Sequence, residues 1–100
     1  YSPADPRPVV QDFVKAYEAK YGAVPDALAT LAYDAAMILL QSISEAGKDD
    51  ASIVKDKMAA IKFEGVSGEI TFDAKHNPVK KAAIIKIQGG KPVYYKFVAP

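Results

Sequence analysis

Cysteine is absent from the sequence, histidine occurs once, and the net charge is close to zero. Without cysteine there is no disulfide scaffold, no thiol nucleophile and no thiolate metal site. The single histidine, His76, stands beside Asn77-Pro78 with no second imidazole to share a metal, and reads as a turn residue on the surface. Thirteen basic and twelve acidic residues give a formal charge of +1. That balance lacks the electrostatic footprint of a nucleic-acid binder, and no basic block with interleaved aromatics occurs. No Met opens the chain, and Tyr1-Ser2-Pro3 reads as a processed or truncated end.

The candidates for chemistry are equally thin. Ser42 and Ser44 lie inside a helical pattern with no general base at useful spacing. Asp49-Asp50 is most simply a helix cap rather than a metal pair. Gly65, Gly68 and Gly89-Gly90 do not follow a strand and open a helix, so they form no phosphate cradle. Nothing supports an enzyme, a metal or a cofactor.

What is present is a globular composition, half apolar and a quarter charged. One hundred residues make one small domain or a piece of a larger one. The organising stretch is Ala27 to Ala46. Leu28, Leu31, Ala32, Ala35, Leu39, Ile43 and Ala46 recur at helical steps, and Ala29, Ala36, Met37 and Leu40 make the other side apolar as well. A helix apolar nearly all round must be covered nearly all round. A membrane span needs about twenty uninterrupted apolar residues, and Thr30, Asp34, Gln41, Ser42 and Ser44 break this run. Asp34, the only charge between Asp26 and Glu45, is expected to be buried and hydrogen-bonded to backbone amides.

Upstream, Asp5-Pro6 predicts a cap and first turn for a helix carrying Val10, Phe13, Val14, Tyr17 and Tyr21 on one face, closed by Gly22. Asp26 caps the central helix. Gly47 ends it, and Asp49 or Asp50 caps a third helix with Ile53, Val54, Met58 and Ile61 on its apolar face. Phe63 to Gly68 reads as a turn and bend. Glu69 to Asp73 alternates as a half-buried strand. Ala82 to Gln88 and Val93 to Val98 form a hairpin around Gly89-Gly90. The expected faces put Ile85 with Ile87, and Val93 with Tyr95 and Phe97. Three helices followed only by strands look α+β, whereas a self-sufficient doubly wound domain alternates the two. The sheet covering the central helix is therefore expected to come from residues outside this sequence.

Four landmarks resemble the C-terminal part of the branched-chain amino-acid (leucine/isoleucine/valine) substrate-binding proteins of ABC transporters, the type I periplasmic binding proteins. These are Phe13-Val-Lys-Ala-Tyr17-Glu-Ala-Lys-Tyr21-Gly22, Pro25-Asp26 leading to Tyr33-Asp34-Ala35, Phe63-Glu-Gly65-Val66-Ser-Gly68-Glu-Ile-Thr-Phe72-Asp73, and Gly90-Lys91-Pro92-Val93. The resemblance spans essentially the whole sequence but only about the last third of a family member. It implies a partial α/β fold of two lobes with the ligand between them. Residues 1–73 would belong to one lobe, 74–81 to a hinge, and 82–100 to a hairpin docked on the other lobe. Relatives place a ligand-contacting Tyr where this chain has Leu28, so Leu28 is the implied ligand-binding residue, offering an apolar contact and no hydroxyl.

The implied function is solute binding for an ABC importer. The ligand is an amino acid, the partner a membrane permease, and the location periplasmic or extracytoplasmic, with lipid anchoring in the full-length protein as one form. The segment alone is expected to be inactive, and to pair as a homodimer through the central helix. Two alternatives are a ligand-sensing regulator on the same fold and an unrelated small α+β interaction domain.

Overall fold

A computed structural model describes all residues, 1–100. Three helices come first, α1 (Pro8–Tyr21), α2 (Ala27–Ala46) and α3 (Ala51–Ala60). Five strands follow: β1 (Phe63–Gly65), β2 (Gly68–Phe72), β3 (Pro78–Val79), β4 (Ala82–Gln88) and β5 (Lys91–Val98). β1, β2 and β3 form an antiparallel sheet in that order, and β4 and β5 form a separate hairpin.

The helix ends follow local chemistry. Asp26 accepts from the Ala29 amide at 2.7 Å and Asp50 from the Ser52 amide at 3.0 Å, each satisfying a donor that the first turn leaves open. Gly22 and Gly47 end α1 and α2 in the left-handed region, at φ 71° and 73°.

The start of α1 differs from expectation. It begins at Pro8, and Arg7 occupies the cap position without a side-chain cap. Asp5 instead turns its carboxylate to Arg7, accepting from the backbone amide at 3.0 Å and from Nε at 2.9 Å. A carboxylate gains more from a guanidinium than from a neutral amide, and Pro8 restrains Arg7 to extended backbone.

Two further differences concern strands. Phe63 to Gly65 is not a bend but a strand, with Phe63 opposite Ile70 and Gly65 opposite Gly68 around the two-residue turn Val66-Ser67. In the hairpin, a bulge beside Ile84/Ile85 leaves Tyr95 without a partner. One extra residue shifts alternation by one, so Tyr94 and Phe97, not Tyr95 and Phe97, share a face, with rings 5.3 Å apart. Val93 and Tyr95 are exposed.

The core lies between α2, α3 and β2. Ile38, Ile61 and Ile70 are buried together, with Met58, Phe63 and Phe72 packed against them. On α2 the buried stripe is Thr30, Asp34, Ile38 and Ser42, one turn apart. The leucine side, whose cover is expected from residues outside this sequence, is open here: Leu28, Leu31 and Leu39 are exposed, as are Met37 and Leu40. By length and composition α2 could cross a membrane, yet the face it buries here is its most polar one. The chain uses that face itself and leaves both apolar sides uncovered.

The surface area carries the same message. The chain exposes 6807 Å², where a compact chain of 10.7 kDa exposes roughly 5,500 Å². Its radius of gyration of 15.2 Å exceeds the about 13 Å typical of this length.

Candidate functional site

The Val66-Ser67 turn is where distant parts of the chain meet. Asp34, at mid-α2, receives the Val66 amide on Oδ1 and the Ser67 amide on Oδ2, both at 2.8 Å. Asp34 is 1% exposed, and its two charge-assisted bonds satisfy amides that the tight turn leaves open. The expectation of a buried, amide-bonded carboxylate is met. Gly65 is required by the same geometry, since a Cβ there would stand 2.7 Å from Asp34 Oδ2.

Arg7 holds the turn from the other side. Its Nη1 donates to the Gly65 carbonyl at 3.2 Å and its Nη2 to the Val66 carbonyl at 3.0 Å. The almost fully buried Asp5 completes the arrangement by pairing with the Arg7 guanidinium at 2.9 Å. The guanidinium also lies 5.7 Å from the centre of the Phe97 ring on β5. From the connection before β4, Lys80 Nζ donates to Ser67 Oγ at 3.2 Å. One turn thus touches α2, the segment before α1 and the connection to the hairpin.

Arg7 and Lys80 were not singled out by sequence reasoning. One signal was available: Arg7 is the only arginine among thirteen basic residues, and a planar fork, which lysine lacks, is what two neighbouring carbonyls need.

Leu28 sits elsewhere, in the first turn of α2. It is 75% exposed, with Ala32, Ala35 and Leu39 continuing the same open apolar side. The structure does not bring Leu28 to the Asp34 turn. Nearby, Tyr1 Oη is buried without a hydrogen bond of ordinary geometry. Burial pushes this phenol's pKa up, and the Thr30 hydroxyl partly opposes the shift.

The connection between β2 and β4 is built on Asp73. Its Oδ1 accepts from the Lys75 and Asn77 amides, each at 2.8 Å. These bonds, the Asn77 amide first, hold the Asp73 carboxyl below its usual value. His76 there has φ 63°, the one non-glycine residue in the left-handed region. No group of three or more His, Cys, Asp or Glu side chains converges as a metal site.

Comparison with known proteins gives this arrangement a family. A sequence profile described as periplasmic binding protein matches residues 1–91. The leucine-binding protein LivK of Thermotoga maritima superposes over 100% of this chain and 29% of its own, at 33% identity and a TM-score of 0.82. The branched-chain amino-acid transporter binding protein LivJ of Streptococcus pneumoniae, solved with isoleucine, matches over 100% of this chain and 28% of its own, at 33% identity and 0.82. A solute-binding protein of an R. palustris ABC transporter, solved with benzoate, covers 100% and 28%, at 32% identity and a TM-score of 0.86. The chain therefore spans under a third of the length of these relatives. No curated protein sequence matches it. These relatives are solute-binding proteins and not enzymes. By the family match and the superpositions, the chain belongs to the periplasmic binding protein family and has part of the type I fold.

Proposed function

We propose that this chain forms one wall, the hinge and the closing hairpin of an extracytoplasmic solute-binding protein that delivers its ligand to an ABC permease. The observation carrying the proposal is the match to branched-chain amino-acid binding proteins over essentially the whole chain. Leucine, isoleucine and benzoate, named for three relatives, share a carboxylate joined to an apolar body. The ligand class proposed here has that chemistry, with branched-chain amino acids first and aromatic carboxylates second.

In this reading residues 1–73 belong to one lobe, 74–81 bend, and 82–100 dock on the other lobe. Two observations support the division. The hairpin forms a sheet of its own, and the connection before it is exposed from Asp73 to Val79, between the half-buried Phe72 and Lys80. Leu28 supplies an apolar contact to the ligand, consistent with its 75% exposure at the start of a helix whose partners lie outside this chain.

Calorimetry on the complete protein tests this. Losing one apolar contact of this size costs about 1.5–3 kcal/mol, or roughly ten- to hundredfold in affinity. Leu28→Asp should weaken binding by that much and Leu28→Tyr should retain it. Unchanged affinity in Leu28→Asp would remove Leu28 from the site.

A further inference from the structure

The charges of the chain are sorted along it. Residues 1–73 contain seven basic and all twelve acidic residues, a net of −5, whereas 74–100 contain six lysines and no acid, a net of +6. All four ion pairs fall within residues 5–69, and of these six lysines only Lys81 stands near acids, Glu64 and Glu69.

The hairpin register sorts them again by face. Ile84, Lys86 and Gln88 alternate on one side of β4, opposite Lys96, Val93 and Lys91 of β5. Ala83, Ile85 and Ile87 make the other side, opposite Phe97, Tyr94 and Pro92, with no charge. One face of the hairpin is apolar, and the other presents three exposed lysines among Ile84, Val93 and the bulged Tyr95. Lys96 Nζ lies over the Tyr95 ring at 5.6 Å.

We propose that this lysine face docks on an anionic lipid surface. Three features favour lipid headgroups over an acidic protein. The cations are all lysine, compact charges on flexible stems without the planar fork that suits fixed carboxylates. They are spread along a two-stranded face rather than gathered at one point. Exposed Val, Ile and Tyr side chains lie between them, as suits the boundary between headgroups and acyl chains. The inference does not depend on which solute the protein binds.

The test is co-sedimentation of the complete protein with vesicles of phosphatidylglycerol and phosphatidylcholine, against phosphatidylcholine alone. Each lysine near an anionic surface contributes about a fivefold gain in partitioning. Replacing Lys86, Lys91 and Lys96 with Gln should therefore lower binding on the order of a hundredfold. Binding should also fall at high salt. A control variant with Lys48, Lys55 and Lys57 changed to Gln should bind as the parent does. Circular dichroism spectra and melting temperatures, measured in parallel, should be the same in all three proteins, which reports that each is folded. No preference for anionic vesicles overturns the proposal. So does equal loss in the control variant, which would make net charge the cause. Binding to polyglutamate but not to vesicles overturns it in favour of an acidic protein partner.

Discussion

Replacing Asp34 with Asn isolates the interaction that joins α2 to the β1–β2 turn. Asp34 now accepts two backbone amides at 2.8 Å from a site 1% exposed. Asn is nearly the same size but has one acceptor oxygen and one amide donor. It can satisfy Val66 or Ser67, and its NH₂ must face the other N–H. Hydrogen bonds to charged groups contribute about 1.5–3 kcal/mol, and an orphaned buried donor costs about 1–3 kcal/mol. One bond lost and one donor stranded gives an expected destabilisation of roughly 2.5–6 kcal/mol. That is a large share of the 5–15 kcal/mol typical of a folded domain. Urea unfolding of the complete protein reads it as a lower midpoint with an unchanged slope. A loss under about 0.5 kcal/mol, the range of ordinary surface substitutions, would refute the view that Asp34 fastens the turn.

Four further outcomes follow from the same geometry. Gly65→Ala should cost about 1–3 kcal/mol through the clash with Asp34, and much less in an Asp34→Ala background; additive costs in the double-mutant cycle would deny the contact. The Asp73 carboxyl titrates lower in the folded loop than its ordinary 3.8, so its contribution is present above that pH and lost as pH falls through the folded value. The Lys75 and Asn77 amide shifts should report this below about pH 4, and their constancy through that range would count against it. In the isolated chain, the open apolar side of α2 should pair two copies, and Met37→Glu with Leu40→Glu should yield monomers in sedimentation; a monomeric parent would contradict it. Hydrogen exchange of the complete protein should show residues 73–81 changing with ligand more than the helices do, and equal protection in both states would place the hinge elsewhere.

Local chemistry was legible wherever a residue acts on its own neighbourhood. Asp26, Gly22, Gly47 and Asp50 mark their helix ends because a cap is satisfied within four residues. The hairpin was visible from Gly89-Gly90 between two apolar runs. Asp34 was legible as buried, since a lone carboxylate in an apolar helix has few other fates. Its partners were not, because Val66 and Ser67 lie more than thirty positions away and bond through backbone, which has no sequence signature.

Which side of α2 finds its partners within these residues was not legible, for a related reason. Periodicity finds the most apolar side, Leu28, Leu31 and Leu39, but cannot say which chain segment covers it. Within these residues the side that finds partners is Thr30, Asp34, Ile38 and Ser42, because α3 and the Val66-Ser67 turn supply the complementary groups. Tyr95 shows a smaller failure of the same kind, as a single bulge reverses every face assignment beyond it.

The most direct measurement is calorimetry of leucine, isoleucine, valine and benzoate against two samples, the complete protein and the isolated 100 residues. The complete protein should bind at least one of the four, and the isolated chain none, because in the proposed reading it supplies only one wall of the cleft. Binding by the isolated chain would contradict the shared cleft, and no binding by the complete protein would contradict the proposed ligand class.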